Sequence, residues 1–529
     1  MICCSIQVDA ASEVDHGLQQ AERVCAEGAN LVEWRVDSLA EEPDGVKSAQ
    51  RLLVESPLPS ILTCRSAREG GGYEGTETER VSFLEEVGVG AHPPRYIDYE
   101  LLDYQRSANV RQKVDLVVSH PDQVRSVSTG LILSTHDFDQ RPRDLMQRVE
   151  AMSSDPACAV AKIAWTARSL RDNLEAFDLL RERSKPTIAL CMGDFGVMSR
   201  VLAPKFGGFL TYAMAEEGEE TAPGQPTVRD LRELYRIDSI RETTKVFGVV
   251  GWPVRASLSP IVHNAGFGAT GFDGVYVGMP VPPEWEHFKA TVGAFLDHQA
   301  LHLGGLSVTM PHKEHLVRFV QEAGGELDQI SAQCGAANTL VVKADGTLQA
   351  LNTDAPAAVA SLAAALEIDV DDLSGKRVAV IGAGGVARAI VAGLLAHQVK
   401  VVVFNRTRSR AEQLVADLSS PDVSVGESSE LACGCFHAFV NATSIGSPSG
   451  DAPDEMPLPD DVHLDHDVAV LETVYAPTPT PLVQLATDRG ARIATGEDMF
   501  VRQAILQFKA WTGAMPPEGL FAERLASRR

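Results

Sequence analysis

IGAGGVARAI at residues 381–390 and VVVFNRT at residues 401–407 are the stretches that decide the fold of the C-terminal half of this 529-residue chain. The first stretch predicts a buried strand that opens into a glycine-rich turn and then a helix, and the second predicts the next strand. Glycines in such a turn let the backbone approach a pyrophosphate at the helix N-terminus. The pattern therefore predicts a doubly wound, Rossmann-type domain that binds a dinucleotide.

The end of the second strand indicates which dinucleotide would bind. Its NRT sequence stands where an NAD-binding domain carries an acidic residue for the ribose 2′-hydroxyl. A guanidinium from Arg406, with Arg408 as a second candidate, can bind a 2′-phosphate instead, so we expect NADP(H). The plainer alternative is a glycine-rich turn beside a solvated arginine. The residues predicted to hold the cofactor here are Gly382, Gly384, Gly385, Asn405, Arg406 and Thr407.

Composition and charge limit the class of protein. The formal net charge of −25 argues against a nucleic-acid-binding surface, and no apolar run is long enough to span a membrane. The N-terminal MICCSIQVDA lacks the basic region and cleavage site of a signal peptide. The nine cysteines show no CxxC spacing, so we expect reduced thiols, no metal site and a cytoplasmic protein.

The first 228 residues alternate short apolar strands with amphipathic helices. Eight strands with helical connectors fit a (β/α)8 barrel, whose active site lies where the strands end. The predicted strands are 2–8, 31–36, 60–65, 96–102, 131–137, 159–164, 187–193 and 208–213.

Charged residues on these strands indicate a site inside the barrel. Glu33, Arg35 and Asp37 alternate along LVEWRVD and so share one face, where charges are costly unless they bind something. Lys162 is predicted to end the sixth strand in an apolar wall, where burial and neighbouring cations would lower its pKa and favour a Schiff base. His136, at the end of the fifth strand, can then move protons. Taken singly, the lysine fits a salt bridge and the histidine a structural role. The same rim is predicted to include Arg65, Glu69 and Arg200.

The motifs EWRVD, TCRSAREGG, LSTHDF, AKIAW, MGDFGVMSR and APGQ, in this order, resemble type I 3-dehydroquinate dehydratases across residues 1–228. The resemblance implies that Lys162 forms an imine with the C3 carbonyl of 3-dehydroquinate. It implies that His136 removes the C2 proton and assists loss of the C1 hydroxyl, and that Glu69 orients His136. Arg200 would bind the substrate carboxylate. The positions implied to contact hydroxyls or to order the site are Glu33, Arg35, Arg65, Gln225 and Thr221, the last standing where the family usually has serine.

The rest of the chain is predicted to form a connector and two further domains. Residues 221–245 combine a Pro/Gly turn with a charged helix, and residues 355–368 form an alanine-rich helix that bridges two domains. The helical pattern at 497–513 is expected to pack back on the middle domain. The predicted boundaries are a barrel at 1–228, a linker at 229–245, a substrate domain at 246–354 with 495–529, and a dinucleotide domain at 355–494.

The middle domain contains a second set of candidate residues. Ser257 and Ser259, two apart at a turn, can both donate to one carboxylate, or can cap a helix before Pro260. Lys313 is predicted to open a helix, and Asp354 to sit at a helix N-cap. Each alone fits a cap or a surface charge, but together they could handle the proton that accompanies hydride transfer to a carbonyl.

The runs around these residues resemble shikimate dehydrogenases across residues 246–513. They are FGVVGWPVRASLSPIVHN, GGLSVTMPHKE, GAANTL, LNTDA, NATSIGS and VYAPTPTPL. The resemblance implies that Lys313 and Asp354 are the catalytic pair. The residues implied to hold the substrate carboxylate are Ser257, Ser259 and Tyr475, those for the ring hydroxyls are Thr309, Asn338 and Gln503, and those near the nicotinamide are Asn441 and Thr443. Ser307 replaces the asparagine that is common in single-domain bacterial members.

The two resemblances together imply an enzyme with two consecutive activities. It would dehydrate 3-dehydroquinate to 3-dehydroshikimate and reduce that product to shikimate with NADPH, as a monomer or homodimer. Two alternatives are a second half that oxidises quinate and a non-catalytic metabolite sensor. The intact SLS motif favours shikimate over quinate. The presence of Glu69, His136, Lys162, Lys313 and Asp354 favours an enzyme over a sensor.

Overall fold

The computed structural model describes residues 1–119, 128–218, 221–433, 435–447, 452–474 and 479–527. These residues form two compact units. The first comprises Met1–Lys245, Asp273–Val281 and Thr291–His302, and the second comprises Val246–Phe272, Pro282–Ala290 and Leu303–Arg529. The first unit thus includes two segments assigned above to the substrate domain, and the domain boundaries stay a prediction. No helix in the described ranges has the length and apolar character needed to cross a membrane.

The N-terminal eight strands form the predicted barrel. They are β1 (Ile2–Gln7), β2 (Leu31–Arg35), β3 (Ser60–Thr63), β4 (Tyr96–Glu100), β5 (Gly130–Asp137), β6 (Cys158–Thr166), β7 (Thr187–Met192) and β8 (Thr211–Ala213). Their order is β7-β6-β5-β4-β3-β2-β1-β8, and the assigned pairs are parallel. The N–H of Phe209, just before β8, donates to the carbonyl of Thr187 on β7, which nearly closes the barrel.

Helices follow most barrel strands. They are α1 (Val14–Ala26), α2 (Gly45–Glu55), α3 (Glu77–Gly88), α4 (Leu101–Arg106), α5 (Ala108–Val117), α6 (Leu145–Ser154), α7 (Asp172–Arg181) and α8 (Val197–Leu202). Thr76 and Glu79 form a capping box that starts α3 after the β3 turn. An apolar layer that includes Ile61, Ile132 and Ile188 fills the barrel interior.

Two local predictions in the first half are wrong. Lys162 lies in the middle of β6 and does not end it, because the apolar AWT continues the strand to Thr166. The charged segment after the Pro/Gly turn forms only a π-helical turn at Asp230–Leu234 and a 3-10 turn at Ile237–Ser239. The backbone of Arg236 has a φ of 52°, which separates these two turns.

A second, mixed sheet carries the candidate dehydrogenase residues. Its strands are β9 (Lys245–Gly251), β10 (Gly274–Pro280), β11 (Leu303–Val308), β12 (Glu326–Leu327), β13 (Thr339–Val342) and β14 (Leu348–Leu351), in the order β10-β9-β11-β13-β14-β12. Its helices are α9 (Ser259–Thr270), α10 (Trp285–Asp297), α11 (Lys313–Glu322), α12 (Gln329–Cys334) and α13 (Asp354–Leu366). Lys313 opens α11 as predicted, whereas Thr353, and not Asp354, is the N-cap of α13.

The third sheet is parallel and confirms the Rossmann-type prediction. Its strands are β15 (Arg377–Ile381), β16 (Lys400–Phe404), β17 (Val423–Val425), β18 (Ala438–Asn441), β19 (Ala469–Glu472) and β20 (Arg492–Ala494), in the order β17-β16-β15-β18-β19-β20. Its helices are α14 (Gly385–Ala396), α15 (Arg408–Leu418) and α16 (Pro481–Asp488), followed by α17 (Gly496–Thr512) and α18 (Leu520–Ala526). Helix α17 contacts β11, β13 and α9, as expected.

The cysteines are mostly as expected. Seven are free, but Cys433 and Cys435 form a disulfide, so the expectation of reduced thiols is wrong for this pair.

Candidate active sites

One cavity in the barrel brings the predicted dehydratase residues together. The empty space in this cavity, together with the open solvent at its mouth, is about 530 Å³. Its lining includes Glu33, Arg35, Arg65, Glu69, His136, Lys162, Arg200, Thr221 and Gln225. These side chains come from separate strands and loops, so their convergence is a product of the barrel and not of local sequence.

Lys162 lines this cavity and lies between two acids. Its Nζ is 2.8 Å from an oxygen of Asp98 and 3.2 Å from one of Glu33, and it sits 4.3 Å from the centre of the Tyr212 ring. Cations were expected beside Lys162, but its nearest charged groups are these two acids. The expectation is therefore wrong for the nearest groups. Both acids are buried, yet the ammonium of Lys162 helps to hold the pKa of each below its usual range.

His136 and Glu69 form the second element of the site. One carboxylate oxygen of Glu69 accepts the backbone N–H of His136 at 2.9 Å and lies 3.1 Å from its Nδ1. Burial raises the pKa of Glu69 to about 8. Burial, followed by the charges of Arg65 and Lys162, holds the pKa of His136 well below its usual value. A neutral imidazole results, with Nδ1 engaged and Nε2 left for chemistry.

Asp98 is a site residue that the sequence analysis missed. It accepts from Arg65 at 2.7 Å and from the hydroxyl of Ser134 at 2.6 Å, in addition to Lys162. Burial alone would raise its pKa, but Arg65 and Lys162 together lower it. The sequence contains a pattern that could have identified Asp98. Asp98 and Glu100 alternate along the fourth strand as Glu33 and Arg35 do along the second.

The APGQ loop closes one side of the cavity. The hydroxyl of Thr221 donates to the side-chain oxygen of Gln225 at 3.2 Å, so the threonine at this position keeps a polar role. Gly224 has a φ of +77°, and a Cβ there would meet the carbonyl oxygen of Gly193 at 2.5 Å. This close approach ties the loop to the turn after β7.

The second site is centred on Lys313 and Asp354. Their charged atoms are 2.6 Å apart, although the two residues begin different helices. The amide of Asn338 donates to the other carboxylate oxygen of Asp354 at 2.9 Å and to the Thr353 hydroxyl at 2.9 Å. Its distance to the Gln503 oxygen is 3.4 Å. Five predicted or adjacent side chains are thus held in one network.

The remaining substrate residues of the second site lie near the ends of β9 and β11. Ser259 begins α9, and its N–H donates to the Ser257 hydroxyl at 3.3 Å. Thr309 directly follows β11. Tyr475 lies outside the described residues. Ser307, the departure noted above, donates its hydroxyl at 2.8 Å to Gln507, a buried residue that the sequence analysis missed.

The crevice between β15 and β18 fits a dinucleotide. These strands are neighbours at the point where the strand order reverses, which is where such sheets bind ligands. Gly382 has a φ of +122°, and a Cβ there would meet the Ala442 carbonyl at 2.7 Å. A Cβ at Gly384 or Gly385 would meet no atom within 4 Å, so the N-terminus of α14 faces open space. A pyrophosphate has room there.

The two candidate arginines differ in their surroundings. Arg408 pairs with Glu412 at 2.8 Å and with Glu427. Arg406 is exposed, and among the residues described its guanidinium has no ion pair. The Asn405 amide donates to the Thr407 carbonyl at 2.8 Å, which shapes the turn that carries Arg406. Arg406 is therefore the better candidate for a 2′-phosphate.

Asn441 has a supporting place at the crevice. Its side chain is buried, donates to both oxygens of Glu472 at 2.9 and 3.1 Å, and accepts from the Thr443 hydroxyl at 2.7 Å. These contacts hold the Asn441 side chain in place, and its contact with the cofactor stays a prediction. Glu472, which the sequence analysis missed, also accepts from Thr480 and from the Val474 N–H.

Comparison with known families agrees with the two-part architecture. Residues 2–242 match the family model described as type I 3-dehydroquinase. Residues 249–340 match the shikimate dehydrogenase substrate binding domain, and residues 364–449 match the model described as shikimate / quinate 5-dehydrogenase. Residues 496–525 match the shikimate 5′-dehydrogenase C-terminal domain.

Two relatives align with nearly the whole chain, and a third aligns with its second half. The chain is 33% identical to the bifunctional 3-dehydroquinate dehydratase/shikimate dehydrogenase, chloroplastic, of Arabidopsis thaliana, over 98% of this chain and 83% of that protein. It is 30% identical to shikimate biosynthesis protein AroDE of Chlamydia pneumoniae, over 91% and 90% of the two chains. Its second half is 40% identical to shikimate dehydrogenase (NADP(+)) of Thermococcus kodakarensis, over 52% of this chain and 94% of that protein.

Proposed function

The chain belongs to the bifunctional family that joins a type I 3-dehydroquinate dehydratase to a shikimate dehydrogenase, and from this premise we propose how its residues carry out the two reactions. The first site dehydrates 3-dehydroquinate to 3-dehydroshikimate. The second reduces 3-dehydroshikimate to shikimate with NADPH. Monomer or homodimer stays the prediction for its assembly.

Dehydration begins with Lys162. The ammonium first gives a proton to water, the free amine attacks the C3 carbonyl of 3-dehydroquinate, and loss of water then gives an imine. The imine withdraws electrons from C2 and so acidifies the C2 proton. Glu33 and Asp98, at 3.2 and 2.8 Å, fix the position of the amine before substrate enters. Arg200, buried in the same cavity, is the proposed partner of the substrate carboxylate.

His136 then carries out the elimination. Its neutral imidazole takes the C2 proton to give an enamine, and the resulting imidazolium protonates the C1 hydroxyl, which leaves as water. Water hydrolyses the product imine and returns the free amine of Lys162. Glu69, 3.1 Å from Nδ1, keeps the ring oriented with Nε2 toward the cavity. The net change is the loss of one water from 3-dehydroquinate.

Reduction at the second site depends on proton transfer by Lys313. Its ammonium is proposed to protonate the oxygen of the substrate ring carbonyl, and Asp354, 2.6 Å away, to stabilise and orient it. Asn338 fixes the other oxygen of Asp354 at 2.9 Å. Ser257 and Ser259 are proposed to donate to the substrate carboxylate. Thr309 and Gln503 are proposed to contact the ring hydroxyls.

The described residues of the dinucleotide domain fit NADP(H). The glycine turn at 382–385 leaves room for a pyrophosphate, and the exposed Arg406 offers a cation for the 2′-phosphate. When bound, NADPH supplies the hydride for the reduction. The protein residues hold the cofactor, orient the substrate and supply the proton.

The observation that carries the first assignment is the buried lysine that shares one cavity with His136, Glu69 and Arg200. Borohydride trapping tests it: the protein is incubated with 3-dehydroquinate, sodium borohydride is added, and the adduct is located by peptide mass. An adduct on Lys162 is expected. A folded protein that binds NADPH but gives no adduct would contradict the imine mechanism and would favour the metabolite sensor.

Preference for shikimate over quinate is tested separately. Quinate carries an extra C1 hydroxyl beside its carboxylate, so the pocket at Ser257 and Ser259 would have to be wider. We expect oxidation of shikimate with NADP⁺ to exceed that of quinate. Equal kcat/KM for the two substrates would contradict this preference.

A further inference from the structure

Arg80 is a fully buried arginine close to the dehydratase site, but it does not line the cavity. It lies on α3, and its guanidinium stands 4.6 Å from the centre of the Tyr99 ring. A buried guanidinium is costly unless its N–H groups have acceptors. The contacts of Arg80 therefore indicate its role in the structure.

All five N–H donors of Arg80 have acceptors. Nη1 donates to Glu100 at 2.7 Å and to the carbonyl of Cys64 at 3.1 Å. Nε and Nη2 donate to Glu77 at 3.0 and 2.7 Å, and Nη2 also donates to Asp103 at 3.2 Å. A lysine has three donors on a flexible stem and cannot reproduce this planar set.

Glu100 links Arg80 to the turn that follows β3. Its second oxygen accepts the N–H of Ser66 at 2.9 Å and lies 3.5 Å from Nη1 of Arg65. Burial alone would raise the pKa of Glu100, but Arg65 and Arg80 together lower it, so the carboxylate stays charged and able to accept.

Ser66 in turn holds the residue that orients the catalytic histidine. Its carbonyl accepts the N–H groups of Glu69 and Gly71, each at 3.0 Å. A Cβ at Gly71 would meet the Arg65 carbonyl at 2.0 Å, so the turn is packed on itself. Glu69 then contacts the backbone N–H and Nδ1 of His136. A continuous chain of hydrogen bonds thus runs from Arg80 to His136.

We propose that Arg80 is a positioning residue for the dehydration: through Glu100 and the Cys64 carbonyl it fixes the turn at residues 64–71, which presents Arg65 and Glu69 to the site. The proposal rests on the proposed function of the barrel. Arg65 shares Asp98 with Lys162, but Lys162 lies on β6 and keeps Glu33 as a partner outside this turn, so loss of Arg80 affects proton transfer more than imine formation.

The test compares Arg80→Lys with Arg51→Lys in the full-length chain. Arg51 is an exposed arginine on α2 that pairs with Asp15 and Glu55. Four quantities are measured: borohydride trapping on Lys162, kcat for dehydration, KM for dehydration, and the rate of shikimate oxidation by the second site of the same molecule. We expect Arg80→Lys to keep the trapping yield and the oxidation rate while kcat for dehydration falls about tenfold to a hundredfold. Arg51→Lys should match the wild type.

Two results would overturn the proposal. One is a kcat for Arg80→Lys within twofold of the wild type. The other is a parallel fall of trapping and kcat in a chain that is still folded, because that shows that loss of Arg80 impairs imine formation as much as proton transfer. If Arg80→Lys does not fold, Glu100→Gln decides, since it breaks the same link while Arg80 keeps its other acceptors. It should also keep trapping and lose kcat, and full activity would contradict the proposal.

The order of measurement separates this inference from the proposed function. Dehydration by the wild-type chain is measured first. A wild type without dehydration would contradict the proposed function and the role of Arg80 together. If the wild type dehydrates the substrate and both Arg80→Lys and Glu100→Gln keep full kcat, the role of Arg80 is contradicted. The proposed function is then unaffected.

Discussion

The ammonium of Lys162 and a carboxylate oxygen of Asp98 lie 2.8 Å apart, although 64 residues separate them and another strand, β5, runs between their strands. The same carboxylate group accepts from Arg65 and Ser134. One buried acid thus holds both the proposed nucleophile and an arginine of the site. This arrangement fixes the two cations before substrate enters, which lowers the entropy that the reaction must lose.

Lys162→Ala should abolish dehydration and borohydride trapping while shikimate oxidation stays unchanged. The barrel should remain folded, because Asp98 keeps its bonds to Arg65 and Ser134. Lys47→Ala is the matched control, since Lys47 is an exposed lysine of the same barrel that pairs with Asp44. If Lys162→Ala dehydrates the substrate at the wild-type rate, the proposal that Lys162 forms the imine is contradicted.

Stability of the barrel should fall as pH rises from 7 to 9. The folded pKa of Glu69, about 8, lies above that of an exposed glutamate, so the folded state holds a proton that the unfolded chain lacks. That stabilisation is complete below the unfolded pKa and is lost as pH rises through the folded one. Glu69→Gln removes the titrating group. Relative to this variant, the wild type should lose about 1–2 kcal/mol of unfolding free energy over this range, measured by urea denaturation. Parallel profiles for the two proteins would contradict the shifted pKa.

Lys313→Met should lower kcat for shikimate oxidation about a hundredfold or more, because the group that exchanges a proton with the substrate oxygen is lost. Dehydration by the barrel should be unaffected and serves as an internal control. Lys343→Met controls for loss of a lysine in the same unit, since Lys343 makes an exposed ion pair with Glu326. If both variants lose oxidation equally, Lys313 is not the proton donor.

Arg406→Ala should weaken NADPH far more than NADH. Loss of a charge-assisted contact to the 2′-phosphate is worth about 1.5–3 kcal/mol, or about tenfold to a hundredfold in Kd. Arg408→Ala is the matched control, because Arg408 is already paired with Glu412 and Glu427. Binding of both cofactors is measured by fluorescence titration. Equal losses for NADPH and NADH would refute the role of Arg406.

Patterns that depend on strand alternation and local motifs could be predicted from the sequence. Charges at alternate positions of LVEWRVD placed Glu33 and Arg35 on one face, and both line the barrel cavity. The glycine run predicted the turn before α14. These features follow from the two-residue period of a strand and from backbone geometry, both of which are local.

Features that depend on tertiary packing were missed or misplaced. Asp98 and Arg80 gain their roles from partners on other elements, at Lys162 and Glu100. The role of Gln507 depends on the packing of α17 against β11, which brings its side-chain amide oxygen to 2.8 Å from the Ser307 hydroxyl. The sequence alone does not show this contact. The helix predicted after the Pro/Gly turn is interrupted by the left-handed backbone of Arg236, which has a φ of 52° and which a charge pattern does not reveal.

Gly382 marks a part of the cofactor crevice where substitutions cannot adjust cofactor affinity in small steps. Its φ of +122° disfavours any L side chain, and the Ala442 carbonyl occupies the space where a Cβ would go. A side chain at residue 382 would push β18 away from β15. Substitution there would therefore abolish cofactor binding and could not adjust its strength. A library aimed at cofactor preference should hold this glycine constant and vary the exposed residues Arg406 and Thr407, which follow β16.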